Sequence, residues 1–258
     1  MPEIPDIEVF CASLKQAYAG QKLVSFKVLN GKKLKDDPLL LAKTLEGKTL
    51  KDVYRSGKEL RFLFTEDILL GMHLMLTGDI IPFEGQNERK STIVEFHFAG
   101  GKALALTDRM KNAFVKLAPE NKGGIDALDK GLNFKYLKKA LARKAVIKNV
   151  LLDQDVIRGI GNAYSDEILW ESRISPFSVA SAIPDEKIRE LAKNIKAVLR
   201  KATAQISKTH PGLIHGEVRD FLLIHTKTKK ESPTGFPIQI KEKGMMKTYF
   251  TDEQVLYT

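Results

Sequence analysis

Apolar residues recur with two different periods along the 258-residue chain. Ile7, Phe10, Leu14 and Tyr18 fall at helical spacing before Gly20, and Leu39, Leu40 and Leu45 predict a second, short helix after Pro38. Around these helices the period drops to two. Strands are predicted at 22–29, 49–54, 60–64, 78–83, 92–98, 103–107 and 114–117, separated by glycine and polar turns such as Ala99-Gly100-Gly101. Within Ile93-Val94-Glu95-Phe96-His97-Phe98 the apolar set alternates with Glu95 and His97, the pattern of a strand with one buried face. The chain to about residue 125 therefore predicts an antiparallel β-sandwich with helices at its edges.

From Phe134 the period becomes helical. Phe134, Leu137, Leu141 and Ala145 make one face, and Lys135, Lys138, Lys139, Arg143, Lys144 and Lys148 make a basic face with no acidic residue among them. A long amphipathic helix is predicted from Asp185 to Ile206, with Pro184 immediately before it, where a missing N–H costs little. After Asp220 a Lys-rich tail punctuated by Pro and Gly reads as a hairpin-like appendage. The fold class is α+β, with expected domains at residues 1–125 (β-sandwich), 126–225 (helical) and 226–258 (hairpin). No internal repeat or heptad pattern intervenes.

Composition narrows the function. Hydrophobic residues make up 43% of the chain and charged residues 29%, ordinary for a folded protein. The 42 basic residues exceed the 32 acidic ones, and six of the ten net positive charges lie from Arg189 to the C-terminus. Such asymmetry points to a surface for a polyanion. One cysteine, Cys11, excludes an intrachain disulfide and a thiolate metal cluster. The longest apolar runs, such as Ile68-Leu69-Leu70, fall far short of the roughly 20 residues that cross a bilayer. Acidic Glu3, Asp6 and Glu8 stand where a secretory signal needs basic and apolar residues, so a cytoplasmic protein is expected, nucleoid-associated if bacterial.

The chemistry starts at the N-terminus. Removal of Met1 would leave Pro2 as a secondary amine beside Glu3. An α-amino group titrates near ~8 against ~10.4 for lysine, so at neutral pH it has far more of its nucleophilic form. Taken alone, Pro2 equally fits a residue that only permits Met1 removal. Further along, Arg55-Ser56-Gly57-Lys58, then His73-Leu74-Met75-Leu76-Thr77-Gly78, then Leu151-Leu152-Asp153-Gln154 with Gly159-Ile160-Gly161-Asn162-Ala163-Tyr164-Ser165-Asp166-Glu167 and Ile174-Ser175-Pro176, follow in order. Together with Met1-Pro2-Glu3-Ile4-Pro5-Asp6-Ile7-Glu8 these segments resemble the formamidopyrimidine-DNA glycosylase / endonuclease VIII (Fpg/Nei) family, from Pro2 to Tyr249. The Gly159–Glu167 block, which resembles a helix-two-turn-helix, is the most specific of them.

The resemblance implies a base-excision-repair DNA glycosylase with AP lyase (β,δ-elimination) activity on oxidised bases, acting through an N-terminal proline Schiff base. Pro2 is the implied nucleophile, Glu3 the proton shuttle and Lys58 the phosphate-holding cation, although by itself Lys58 reads as a solvated lysine at a strand start. His73 is an implied phosphate contact, or a packed core histidine. Gly161 and Asn162 are expected to offer donors to a phosphate at a helix start, the plainer alternative being a glycine turn with an Asn N-cap. Lys144 and Lys148 on the basic face are expected DNA contacts. The partner is double-stranded DNA carrying oxidised bases or abasic sites, bound by a monomer in a cleft between the two halves. No cofactor, no metal and no membrane are expected. The alternatives are a catalytically silent lesion- or abasic-site-binding protein of the same fold, and a non-enzymatic helix-two-turn-helix nucleic-acid-binding protein.

Three departures from the family pattern stand out. The run from Ser232 to Thr251 lacks the cysteines of the family's zinc finger, so a zincless hairpin is expected, held by strand pairing and by packing of Ile238, Ile240, Tyr249 and Phe250. The finger's arginine falls at Met246, leaving Lys247, one residue away, or Lys243 as substitutes; alternation sends Lys247 to the opposite face unless a bulge intervenes. Of the residues that fill the gap left by a flipped base, Leu76 takes the methionine position, Met110 the arginine position and Asn112 the phenylalanine position, while a gapped match would restore Phe114. Loss of the arginine weakens reading of the opposite base. With the short connection from Thr209 to Arg219, this points to a Nei-like preference for oxidised pyrimidines, ring-opened purines or abasic sites.

Overall fold

The computed structural model describes residues 1–121, 123–244 and 246–258. The chain divides into two compact units, Met1–Asn121 with Gln205–Glu217, and Lys122–Ala204 with Val218–Thr258. The hairpin tail thus belongs to the second unit, and the segment after the long helix returns to the first.

The first unit opens with α1 (Ile4–Tyr18), followed by β1 (Leu23–Val28), α2 (Pro38–Leu45), β2 (Leu50–Ser56), β3 (Glu59–Phe64), β4 (Leu69–His73), β5 (Gly78–Glu84), β6 (Thr92–Phe98), β7 (Lys102–Asp108) and β8 (Phe114–Leu117). Two four-stranded antiparallel sheets result, ordered β1-β6-β7-β5 and β2-β3-β4-β8. Their inner faces share one core, in which Phe62 of one sheet stacks on Phe96 of the other with ring centroids 5.7 Å apart. Ile7, Phe10, Leu14 and Tyr18 of α1 are buried in the same core, as their helical spacing required. Pro38 at the first turn of α2 follows Asp37, whose carboxylate accepts the N–H groups of Leu39 and Leu40.

Two strand readings change. The strand at β4 was hidden because Leu69-Leu70-Gly71-Met72 does not alternate; it is an interior strand between β3 and β8. On β6, Glu95 is buried rather than solvent-facing. Its carboxylate is satisfied there by Asn87 Nδ2 and by the His97 ring, both at 2.8 Å.

The second unit contains the short parallel pair β9 (Ile125–Asp126) and β10 (Ile157–Arg158), with α3 (Phe134–Leu141), α4 (Ile147–Leu152), α5 (Asn162–Glu171), α6 (Asp185–Thr209, whose last turn passes into the first unit), and the hairpin β11 (Gln239–Lys243) and β12 (Met246–Phe250). The single helical face expected from Phe134 to Ala145 is broken after Leu141. The chain turns at Ala142–Ala145 before α4, so Lys148 leaves the surface that Lys135, Lys138 and Lys139 share.

The hairpin is held by strand pairing, by most of the expected apolar contacts and by polar ones as well. Tyr249 is buried with Trp170 and Ile224, Ile238 packs on that cluster, and Phe250 meets Phe177 edge-on at 5.0 Å. Ile240, by contrast, is exposed. Glu253 does more: its carboxylate accepts from Trp170 Nε1 (3.0 Å), Ser232 Oγ (3.1 Å), Thr234 Oγ1 (2.6 Å) and Thr251 Oγ1 (3.0 Å), and pairs with Arg173 at 2.7 Å. Burial works to raise the Glu253 pKa, but these donors prevail and hold the carboxyl below its usual range. The region where the resemblance expects zinc therefore carries hydroxyls around a carboxylate already occupied by donors. That set does not fit a tetrahedral zinc, and no cluster of metal-ligating side chains occurs among the described residues.

Candidate active site and nucleic-acid interface

Pro2 and Glu3 are buried at the head of α1. Glu3 is the N-cap, and its backbone N–H donates to the Asp6 carboxylate at 2.9 Å, so Asp6 fixes the start of the helix. Met1 lies outside this cap with its ammonium group on the Glu217 carboxylate. Pro2 lines an open cavity of about 150 Å³ with Leu76, Thr77, Gly78, Asp79 and Gly216. That volume is below the several hundred Å³ of an enclosing ligand pocket, so within this unit a bound group would be held on one side only.

Lys58 sits in the turn between β2 and β3. Arg55 braces that turn: its Nε donates to Glu8 of α1 at 2.8 Å and its Nη1 to the carbonyl of Gly57 at 2.9 Å. One arginine thus ties the Lys58 turn to the helix that carries Pro2 and Glu3. Burial pulls the Lys58 pKa below the ordinary lysine value, while the Glu3 carboxylate opposes that shift. A cation and a carboxylate that sense each other beside a potential amine nucleophile form an arrangement suited to covalent acid–base chemistry.

His73 ends β4. Its Nδ1 accepts the Met75 N–H at 3.0 Å and its ring stacks on Phe114, with centroids 5.6 Å apart. Accepting at Nδ1 places the proton of the neutral ring on Nε2, which makes that edge the donor. Beyond it, Leu76 is 56% exposed and Met110 is 54% exposed, each at the tip of a turn. Asn112 has its backbone N–H on Asp108, whereas Phe114 lies in β8 against His73; neither is a third exposed apolar tip.

In the second unit, Gly161 is the N-cap of α5 and Asn162 its first residue. The loop before it is clamped by Gln154, which donates to the carbonyls of Leu152 and Ile160 (2.8 and 3.0 Å) and accepts the Gly159 N–H at 2.9 Å. Gly159 has φ 102°, a conformation open to glycine. Asn162 Nδ2 donates to the Lys247 carbonyl at 3.0 Å, joining the start of α5 to the hairpin. Asn162 is therefore not the N-cap that a plain glycine turn would have it be, and its side chain reaches across to the hairpin.

One expected DNA contact is corrected, and another carries a surface ion pair. Lys148 is buried, with Nζ 2.6 Å from Asp166 Oδ1 and 2.9 Å from Thr248 Oγ1. A lysine held this way supports α4, α5 and β12 from inside and presents no charge to a polyanion. Lys247 pairs across the hairpin with Glu242, its Nζ 2.6 Å from the carboxylate. That pair raises the Lys247 pKa. The β11–β12 register is regular, so Lys247 faces away from Met246, and Lys243, directly opposite Met246, shares its face. Lys144 and Arg143 stay exposed in the turn after α3.

Residues 1–114 match the formamidopyrimidine-DNA glycosylase N-terminal domain, and residues 124–211 match the formamidopyrimidine-DNA glycosylase H2TH domain. The formamidopyrimidine-DNA glycosylase of Mycoplasma genitalium is 34% identical over 250 residues, which cover 90% of this chain and 87% of that protein. The chain belongs to the formamidopyrimidine-DNA glycosylase family. A second member, from Lactobacillus gasseri, is 32% identical over 275 residues and the full length of both chains. Among solved structures, Lactococcus lactis Fpg in complex with DNA containing an oxidised pyrimidine aligns with a TM-score of 0.86 at 25% identity, over 97% of this chain and 98% of that one.

The structure also brings forward side chains that the motifs did not single out. Arg55 and Gln154 stand inside quoted motifs, yet their bracing roles depend on partners, such as Glu8, that spacing does not reveal. Asp108 carried no signal beyond its place after Thr107. In the structure it is buried and accepts from Met110, Asn112 and Ala113 N–H groups at 3.0, 2.7 and 2.8 Å.

Proposed function

We propose that this member of the formamidopyrimidine-DNA glycosylase family excises damaged bases from duplex DNA and cleaves the resulting abasic site, with Pro2 as nucleophile. The observation that carries the assignment is the buried Pro2-Glu3 pair at the head of α1, tied through Arg55 to the turn that presents Lys58. Removal of Met1 frees the Pro2 amine. That amine attacks C1′ of an extrahelical nucleotide, the glycosidic bond breaks, and the base departs with the bonding pair and takes a proton. Glu3 protonates the sugar-ring oxygen as the ring opens to an iminium. The iminium acidifies the C2′ hydrogen, so loss of that proton expels the 3′ phosphate, and a second elimination expels the 5′ phosphate. Lys58 stabilises the phosphate charge.

Flipping the nucleotide costs a few kcal/mol, which backbone contacts and filling of the gap offset. Leu76 and Met110 are the exposed apolar groups placed for the gap, and His73 Nε2, the Gly161–Asn162 helix start, Lys144 and Lys243 are the groups assigned to the backbone. The Mycoplasma and Lactobacillus relatives are named for formamidopyrimidines and the Lactococcus neighbour is bound to an oxidised-pyrimidine duplex, which supports ring-opened purines and oxidised pyrimidines as the lesion range. No helix among the described residues is long and apolar enough to cross a membrane, and the reading carries a cytoplasmic location beside the chromosome.

Borohydride trapping on an abasic-site duplex tests the mechanism. Protein whose intact mass shows Met1 removed forms a covalent adduct, and Pro2→Gly carrying one extra N-terminal residue forms none. Absence of an adduct from correctly processed protein that still binds the duplex would leave a lesion-binding protein in place of an enzyme.

A further inference from the structure

The two exposed apolar tips, Leu76 and Met110, stand on turns that flank the same strand pair. Gly78 opens β5 and Asp108 closes β7, and the two are direct cross-strand partners. A side chain at Gly78 would collide with the Leu74 carbonyl and with Ala113, so the Leu76 turn lies tight against the turn that follows Asp108. Next to each tip is a residue with left-handed backbone, Met75 at φ 55° and Lys111 at φ 53°. Non-glycine residues hold that conformation where surrounding contacts over-determine it.

Asp108 supplies those contacts to both turns. One carboxylate oxygen takes the Thr77 hydroxyl, from the turn of Leu76, and the Met110 N–H at 3.0 Å. The other takes the N–H groups of Asn112 and Ala113 at 2.7 and 2.8 Å. Its side chain is 1% exposed and aimed at backbone, so it does not meet DNA itself. We propose that Asp108 is a positioning residue that locks the Leu76 turn and the Met110 turn into one apolar wedge for the space a flipped base leaves. The proposal rests on the glycosylase reading above and extends it to a residue that touches neither lesion nor backbone.

The chemistry demands this of a wedge whose two tips are leucine and methionine, with the exposed Arg109 beside Met110 on its turn. An arginine at the tip itself can hold its place in the duplex by hydrogen bonds to the opposite base. Leucine and methionine have no such hold and act only by filling volume, so their effect depends on how rigidly the turns present them. A carboxylate accepting four donors at once is a strong restraint of that kind. Asparagine at the same place keeps one acceptor for the Thr77 hydroxyl and the Met110 N–H and turns the other into a donor facing the Asn112 and Ala113 N–H groups, which loosens the Met110 turn at nearly constant volume.

The experiment compares single-turnover excision of the same lesion in two duplexes, one with an intact opposite strand and one with a one-nucleotide gap opposite the lesion, where no partner base has to be displaced. Asp108→Asn is expected to lose about 10-fold or more on the intact duplex, the scale of one charge-assisted hydrogen bond, and much less on the gapped one. Leu76→Ala and Met110→Ala should show the same split, and combining either with Asp108→Asn should add little. Equal losses on both duplexes, or no loss on either, overturn the positioning role. Wild-type protein that neither excises nor traps removes the glycosylase reading itself and the proposal with it. Should Asp108→Asn fail to fold by thermal melting, Thr77→Val removes only the hydroxyl between the two turns and is read by the same split.

Discussion

Lys58 sits at the β2–β3 turn with two opposing influences on its charge. Burial disfavours the ammonium form and Glu3 favours it, with burial ahead, so the folded pKa lies below the ordinary lysine value. Below the folded pKa the lysine is charged in both states and folding bears the full cost of burying it. Between the folded and the ordinary value the unfolded chain binds the proton and the folded chain does not, so stability rises with pH across that window. Catalysis runs the other way, because phosphate stabilisation needs the charge. Elimination at an abasic site is therefore expected to decline toward alkaline pH earlier than a free lysine would dictate. Lys58→Arg keeps its charge throughout and should flatten that limb. Single-turnover elimination measured from neutral pH to about 10.4, the free lysine value, checks this; superimposable alkaline limbs in the two proteins would remove Lys58 as the titrating group.

Among the elements, α5 organises its unit through two adjacent carboxylates. Asp166 accepts from Lys148, from the Tyr249 N–H at 3.0 Å and from the His225 ring at 2.8 Å, joining α4, α5, β12 and the segment before the hairpin. Glu167 accepts the N–H groups of Leu223, Ile224 and His225 at 2.8–2.9 Å. These contacts, with the Glu253 cluster, cross-link α5 to the hairpin and to the segments before it. Lys148→Ala removes one member and leaves Asp166 buried without its main countercharge, so a loss of about 3–5 kcal/mol is expected. Urea denaturation measures it. A loss within about 0.5 kcal/mol, the size of an ordinary surface substitution, would show that Lys148 is not structural.

At the scale of the molecule, the net charge of +10 resolves into residues with different duties. Lys148 is spent inside the fold, Lys247 is paired with Glu242, and Arg55 braces a turn. Arg143, Lys144, Lys135 and Lys139 stay exposed, whereas Lys138 of α3 pairs with Asp185 at 2.6 Å. Each phosphate contact releases counterion, so Lys144→Ala should weaken binding to any duplex sequence alike and reduce the slope of log K against log salt by about 1. Binding titrations across a salt series test this, and an unchanged slope would count against the α3 surface.

Local pattern by itself determined the α+β class, α1 and most of the sandwich strands, because periodicity is a property of neighbours along the chain, and motif order carried the resemblance to the family from which the Pro2, Glu3 and Lys58 proposal comes. The lack of thiolate ligands in the hairpin was equally plain, since the chain has one cysteine. Only the tertiary structure decided which charges face inward. Lys148 and Lys144 are alike in sequence, but Lys148 meets Asp166 eighteen residues on and Thr248 a hundred residues on, and a partner at that distance leaves no periodic trace. Asp108 was silent in part for the same reason: three of its donors lie within five residues, but the fourth, Thr77, comes from a turn that becomes its neighbour only when β5 and β7 pair.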